Sequence, residues 1–215
     1  MIFKNIKFIC AALALVCANA NATLITVETR DLAITQAPHG NTGANAANHG
    51  VDQTNFAQSW NNLIAGTSNN FLGDFINVQP GEDKFTHIQI DLSIDRDIVN
   101  WVFDFGLDAG FGMALYLDNV LISSTSDDLW WGTSWNNSDV FSVELNNLTR
   151  DNKVLDIYWA EHCCDGPSSI RFKNDANQWN PLSVANLDAA SIPEPTTVAL
   201  LGLGLLGFAG RRMLK

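Results

Sequence analysis

An all-β domain of the sandwich or jelly-roll kind is the fold this sequence predicts. Three observations carry that expectation. Six or seven short runs alternate apolar and polar residues with a period of two, the separators are rich in Asn, Gly, Asp and Ser, and no long helical pattern alternates with the strands. The last point excludes a parallel α/β sheet. At 215 residues and 47% hydrophobic, the chain can bury a real core. Its charged fraction of 16% is too low, and its 7 Trp and 12 Phe too many, for intrinsic disorder.

Taken in order, residues 24–29 open as a strand, and residues 39–50 form an Ala/Asn/Gly loop without periodicity. Phe56, Trp60, Leu63 and Ile64 fall at helical spacing, which predicts at most one short helix, over 55–65. Residues 85–94 place Ile88, Ile90, Leu92 and Ile94 on one face of a strand. Residues 100–105 do the same with Trp101, Phe103 and Phe105. Residues 114–122 are β-prone and broken by Asp118-Asn119, a turn signal. Strands over 140–145, 153–160 and 168–173 complete the set. The domain is thereby expected over residues 23–185, with 186–192 as a linker.

Both ends read as addresses. Residues 1–22 have the form of a secretory signal: Lys4 and Lys7, an apolar run, then Ala-x-Ala cleavage sites at Ala18 to Ala22. The run is shorter than a membrane span needs, and Val16 before Cys17 is too bulky for a lipoprotein signal. Residues 193–215 begin with Pro193-Glu194-Pro195, continue as a short apolar helix, and end in a basic cluster with Arg211 and Arg212. Two prolines keep Glu194 extended and open to a protease. The terminal cluster is expected to stay cytoplasmic, with the rest of the chain outside.

This tripartite tail resembles the PEP-CTERM sorting signal of Gram-negative bacteria. The resemblance implies export, transient insertion in the inner membrane, cleavage by an exosortase, and a destination outside the cell or on its surface. It also implies an association with exopolysaccharide and biofilm matrix.

The charge balance of Lys+Arg 12 against Asp+Glu 23, net −11, with no basic cluster in the body of the chain, excludes a nucleic-acid partner. Removing the two ends takes away five basic residues and at most one acidic one, so the domain itself is more acidic still. Such a surface keeps a protein soluble, repels polyanions, and could collect calcium. No other cofactor is expected.

Without the signal, Cys163 and Cys164 are the remaining cysteines, in Glu161-His162-Cys163-Cys164-Asp165-Gly166. In an oxidising compartment a disulfide is the default, and Asp165-Gly166-Pro167 supplies the tight turn that neighbouring cysteines need. The residues leave open a zinc site with His162 and Asp165, free thiols or intermolecular bonds, and a Cys–His nucleophile. Set late in a secreted domain with this tail, Cys163-Cys164-Asp165-Gly166 is similar to the CCXG family of PEP-CTERM proteins, a name that carries no activity to transfer.

Residues 105–110 followed by 114–119 resemble the acidic loop, strand and Asp-containing turn of PA14-like β-sandwiches, found in adhesins and beside glycosidase domains. That resemblance implies ligand-binding roles for Asp108 and Asp118. Here Asp108 stands alone where the family pairs two Asp, which argues against lectin-type calcium binding at that loop.

Trp130, Trp131 and Trp135, flanked by Asn, Ser and Asp, suit sugar recognition by ring stacking and amide hydrogen bonds. The alternative is a core plug. In a strand, Trp130 and Trp131 face opposite ways, so one ring should be exposed. No phosphate loop, GxSxG elbow or zincin helix is present, and no carboxylate pair stands out for glycoside hydrolysis. The expected function is carbohydrate binding, with exopolysaccharide as ligand and no enzymatic activity. A polysaccharide hydrolase and a self-associating matrix protein are the alternatives.

Overall fold

The computed structural model describes residues 23–33, 43–94, 98–149, 151–174 and 178–191. One antiparallel sheet contains β1 (Leu24–Asp31), β2 (Thr67–Asn70), β3 (Lys84–Ser93), β6 (Met113–Leu117), β7 (Val120–Thr125) and β10 (Asn152–Glu161), in the order β2-β1-β3-β10-β6-β7. A second holds β4 (Ile98–Gly106), β9 (Phe141–Leu148), β11 (Ser169–Lys173) and β12 (Asn180–Pro181), in the order β12-β11-β4-β9. A separate ribbon pairs β5 (Asp108–Ala109) with β8 (Leu129–Trp130).

Alternation sorts the faces. Ile88, Ile90 and Leu92 of β3 and Leu155, Ile157 and Trp159 of β10 turn inward. There they meet Trp101, Phe103, Phe105, Ile170 and Phe172 of the four-stranded sheet. Burying each such side chain contributes roughly 1.5–3 kcal/mol or more, which makes this layer the main source of stability.

The six-stranded sheet is covered on its outer face as well. Phe85, Ala114, Tyr116 and Tyr158 cluster there with Ala46 of the 3-10 helix η1 (Gly43–His49), with Val51 just after it, and with Phe56 and Trp60 of helix α1 (Phe56–Asn62). Helix α1 starts where the Asn55 side chain accepts a hydrogen bond from the Gln58 N–H at 3.1 Å. His87 lies in this layer. It stacks on Tyr158 with centroids 4.3 Å apart and bonds Asp156 at 2.8 Å, so it is no free surface residue.

Two expectations need correction. The chain has more than one short helix, because α2 (Val184–Ser191) occupies what read as a linker. Only one large apolar residue of that segment, Leu187, enters the main core, too little to mark a periodic stripe. Helix α2 belongs to the domain: the Thr23 N–H donates to Asp188 Oδ1 at 3.1 Å, joining the start of β1 to it. Likewise 43–49 is not a plain loop, since η1 buries Ala46 and His49. The signal over 1–22 and the sorting residues Pro193, Glu194, Pro195, Arg211 and Arg212 lie outside the described residues. No described helix is long and apolar enough to cross a membrane.

Candidate functional site

The loop after β8 doubles back on itself. Gly132 and Thr133 both take left-handed backbone angles, φ 58° each, and the Asn137 amide donates to the Trp130 carbonyl at 3.0 Å. The turn sends the neighbouring indoles apart: Trp130 is 55% exposed and Trp131 4%. The Trp131 Nε1–H donates to the Pro167 carbonyl at 2.5 Å, and its ring lies 4.7 Å from that of Trp135. Trp131 is therefore both a core residue and a wall of the surface beside it.

Two hollows share that wall. The smaller, about 200 Å³, is bounded by Asp108, Trp130, Trp131, Gly166 and Pro167. The larger, about 490 Å³, runs over the outer face of the four-stranded sheet between Trp135 and Trp179, with Thr133, Asn77 and Asn180 along it. Its floor is Arg171. On β11 this residue points away from core-facing Ile170 and Phe172, and its guanidinium sits 4.2 Å from the Trp135 ring and 4.1 Å from that of Trp179. Asp104, its cross-strand neighbour on β4, accepts from Nε at 2.9 Å and Nη2 at 2.7 Å. The Ser142 hydroxyl donates to the other oxygen of Asp104. Lys173 reaches the same Trp179 ring at 4.7 Å.

Behind the smaller hollow lies a tightly bonded turn. Cys163 and Cys164 form a vicinal disulfide, with Cys164 at φ 69°. Glu161 accepts from the Gly110 and Cys163 N–H groups, each at 2.7 Å. Asp165 accepts from the Gly81 N–H at 3.0 Å, and His162 bonds Asp83. Asp108 accepts from the Gly166 N–H. Burial, and then the charge of Glu161, push the Asp108 carboxyl up to about 7, against the Gly166 hydrogen bond. Among the described residues, no three His, Cys, Asp or Glu side chains converge in a way that could hold a metal ion.

Trp130, Trp131, Trp135, Asp108 and the two cysteines thus gather at one end of the sandwich. Asp118 does not join them. It sits in the β6–β7 turn at φ 50°, accepts from the Val154 N–H at 3.0 Å and pairs with Lys153 at 3.1 Å. Val154 and Glu161 lie seven residues apart on β10, roughly 23 Å. Its role is to close a turn. The residues that sequence reading missed are Arg171, Trp179, Asn77 and Asn180. Arg171 and Asp104 were legible in principle, because each stands between two core-facing apolar residues on its strand, Ile170 and Phe172 for the one and Phe103 and Phe105 for the other. Trp179 stands alone in a polar stretch and gave no signal.

The tail decides the sorting question. Residues 191–212 match the PEP-CTERM protein-sorting motif. This motif implies processing by an exosortase and sorting to the surface or the exterior. No curated protein matches the chain in sequence. Among solved structures, the fold is similar to the A domain of epithelial adhesin 6 from Candida glabrata, in complex with Galb1-3GlcNAc, at 9% identity and TM-score 0.51, over 77% of this chain and 85% of that one. A subtype-switched epithelial adhesin 9 A domain from the same organism, in complex with beta-lactose, gives 7% identity and TM-score 0.51, over 75% and 86%. A PA14 sugar-binding domain from an RTX adhesin gives 9% identity and TM-score 0.46, over 77% and 97%. The likeness to the adhesin A domains is one of fold alone: antiparallel sheets packed as a sandwich.

Proposed function

We propose that this PEP-CTERM protein is a glycan-binding component of the extracellular matrix or surface of a Gram-negative bacterium, with exopolysaccharide as its ligand. The observation that carries this reading is the larger groove. Two half-buried indoles pack on a fixed guanidinium along it, with a hydroxyl and two amides beside them. Flat apolar faces and convergent polar groups are what a pyranose offers its counterparts for. Adhesin A domains of the same fold, solved with galactosides, support the reading by analogy of fold alone. The Cys163-Cys164-Asp165-Gly166 turn keeps the CCXG affiliation as part of the proposal, without adding an activity.

We infer binding rather than hydrolysis. Asp108 and Glu161 are interacting carboxylates beside the smaller hollow, but both oxygens of Glu161 already accept backbone N–H groups. A nucleophile or base so engaged would have to break that turn to act. A self-associating role has one observation of its own: β7 is an edge of its sheet and exposes Val120, Leu121 and Ile122 with no charged residue among them.

The test is titration of the purified protein with the producer's own exopolysaccharide and with a panel of neutral oligosaccharides. Saturable binding that Trp179→Ala weakens supports the reading. Absence of binding to every glycan, from protein whose fold is verified, would overturn it.

A further inference from the structure

The smaller hollow holds a charge arrangement that stacking alone leaves unused. Asp108 is 6% exposed and forms part of its wall. Its Oδ2 accepts from Gly166, while Oδ1 takes no hydrogen bond from any described residue. No described basic side chain forms an ion pair with it. Its charged neighbours, Glu161, Asp128 and Asp165, are all of like sign. Trp130 and Trp131 supply indole surface to the same hollow.

A buried carboxylate with an open oxygen, held among other carboxylates and walled by indoles, is complementary to an organic ammonium. Such a cation gains a charge-assisted hydrogen bond and a cation–π contact together. The chain's net charge of −11 also draws cations toward it. A divalent metal fits less well. The described carboxylates do not converge as metal ligands, and two of the walls are indoles where calcium would need oxygens.

We infer that this hollow binds the protonated amino group of an amino sugar, with Asp108 Oδ1 as the ion partner and Trp130 and Trp131 as the stacking surface. The inference rests on the glycan-binding reading and names its ligand class: a cationic, de-N-acetylated polysaccharide. A hollow of about 200 Å³ takes one sugar ring, and the larger groove beyond the Trp131 wall takes its neighbours along the chain.

The full-length protein is titrated, in the presence of a chelator, with an oligomer of glucosamine and with the same oligomer fully N-acetylated. The expected result is a preference of about tenfold or more for the amino form, as one charge-assisted hydrogen bond carries. Asp108→Asn should abolish that preference, and added salt should weaken it. Trp130→Ala, which removes a half-exposed ring without touching the core, should weaken binding of the amino form in a folded protein. Equal affinity for both oligomers would overturn this inference and leave glycan binding standing. An amino-form preference that survives Asp108→Asn, or binding that vanishes with the chelator, would overturn it too. Failure to bind these or any neutral glycan would overturn both readings.

Discussion

Gly106 lies against the indole of Trp131 so closely that a Cβ on the glycine would stand 2.5 Å from ring atoms Cδ2 and Cε3. The missing side chain on β4 is what lets the ring lie down between the two hollows. Gly106→Ala should push Trp131 out of place, costing about 1–3 kcal/mol as overpacking does. It should weaken glycan binding at the same time. Thermal denaturation and a glycan titration check this, and a variant unchanged in both would mean the ring is not seated by that glycine.

Truncation of the tryptophans should separate scaffold from surface. Trp131→Ala removes a buried ring and the donor to Pro167, an expected loss of about 3–5 kcal/mol. Trp179→Ala removes a half-buried ring whose cation–π contacts with Arg171 and Lys173 are worth about 0.5–1 kcal/mol each. The second variant should fold and bind glycan poorly. Denaturant melts of both, beside binding isotherms, give the comparison.

Asp108 sets a slope of stability with pH. With no cation beside it, its folded carboxyl holds a proton, up to about 7, that the unfolded chain releases at its ordinary value of 3.8. The folded state therefore binds more protons across that window. The contribution is full below 3.8 and is lost as pH rises through about 7. Melting midpoints of the parent, measured from pH 4 to 8, should fall relative to those of Asp108→Asn. Parallel curves would refute the assignment.

His49 works in the opposite sense. It is fully buried between Phe111 and His162, and neither ring nitrogen has a hydrogen-bond partner among the described residues. Burial first, then the charge of His162, depress its pKa against the pull of Asp83. Below 6.5 the unfolded chain takes up a proton that the folded one resists, so stability drops as pH falls. His49→Phe keeps an aromatic ring between the two neighbours and should remove that acid-side loss. Circular dichroism melts between pH 5 and 7.5 decide it.

Legibility of the fold followed burial. Strands with one face in the core, such as β3 and β4, announced themselves by alternation. Strand β2, Thr-Ser-Asn-Asn with every residue exposed, carried no apolar period and was invisible. Helix α2 was hidden for the related reason that Leu187 alone anchors its middle. At the site, the Trp130-to-Trp135 cluster was legible as composition, but which ring was buried depended on a glycine in β4 and a carbonyl in the cysteine turn. Asp118 showed the converse. Its turn chemistry was plain in the sequence, whereas its distance from the tryptophans is a property of the register between β6 and β10.

The hydrogen bond between Thr23 and Asp188 has a consequence for how the molecule stands. Both ends of the described domain leave from the pole where β3 and β10 meet at Asp91 and Val154. Asp108, Trp130 and the cysteine turn occupy the pole beyond Glu161, at the far end of a ten-residue strand about 33 Å long. Whatever is tied to either end of the described domain therefore lies at the opposite pole from Asp108 and Trp130, and leaves the smaller aromatic hollow clear for a partner arriving from the other side.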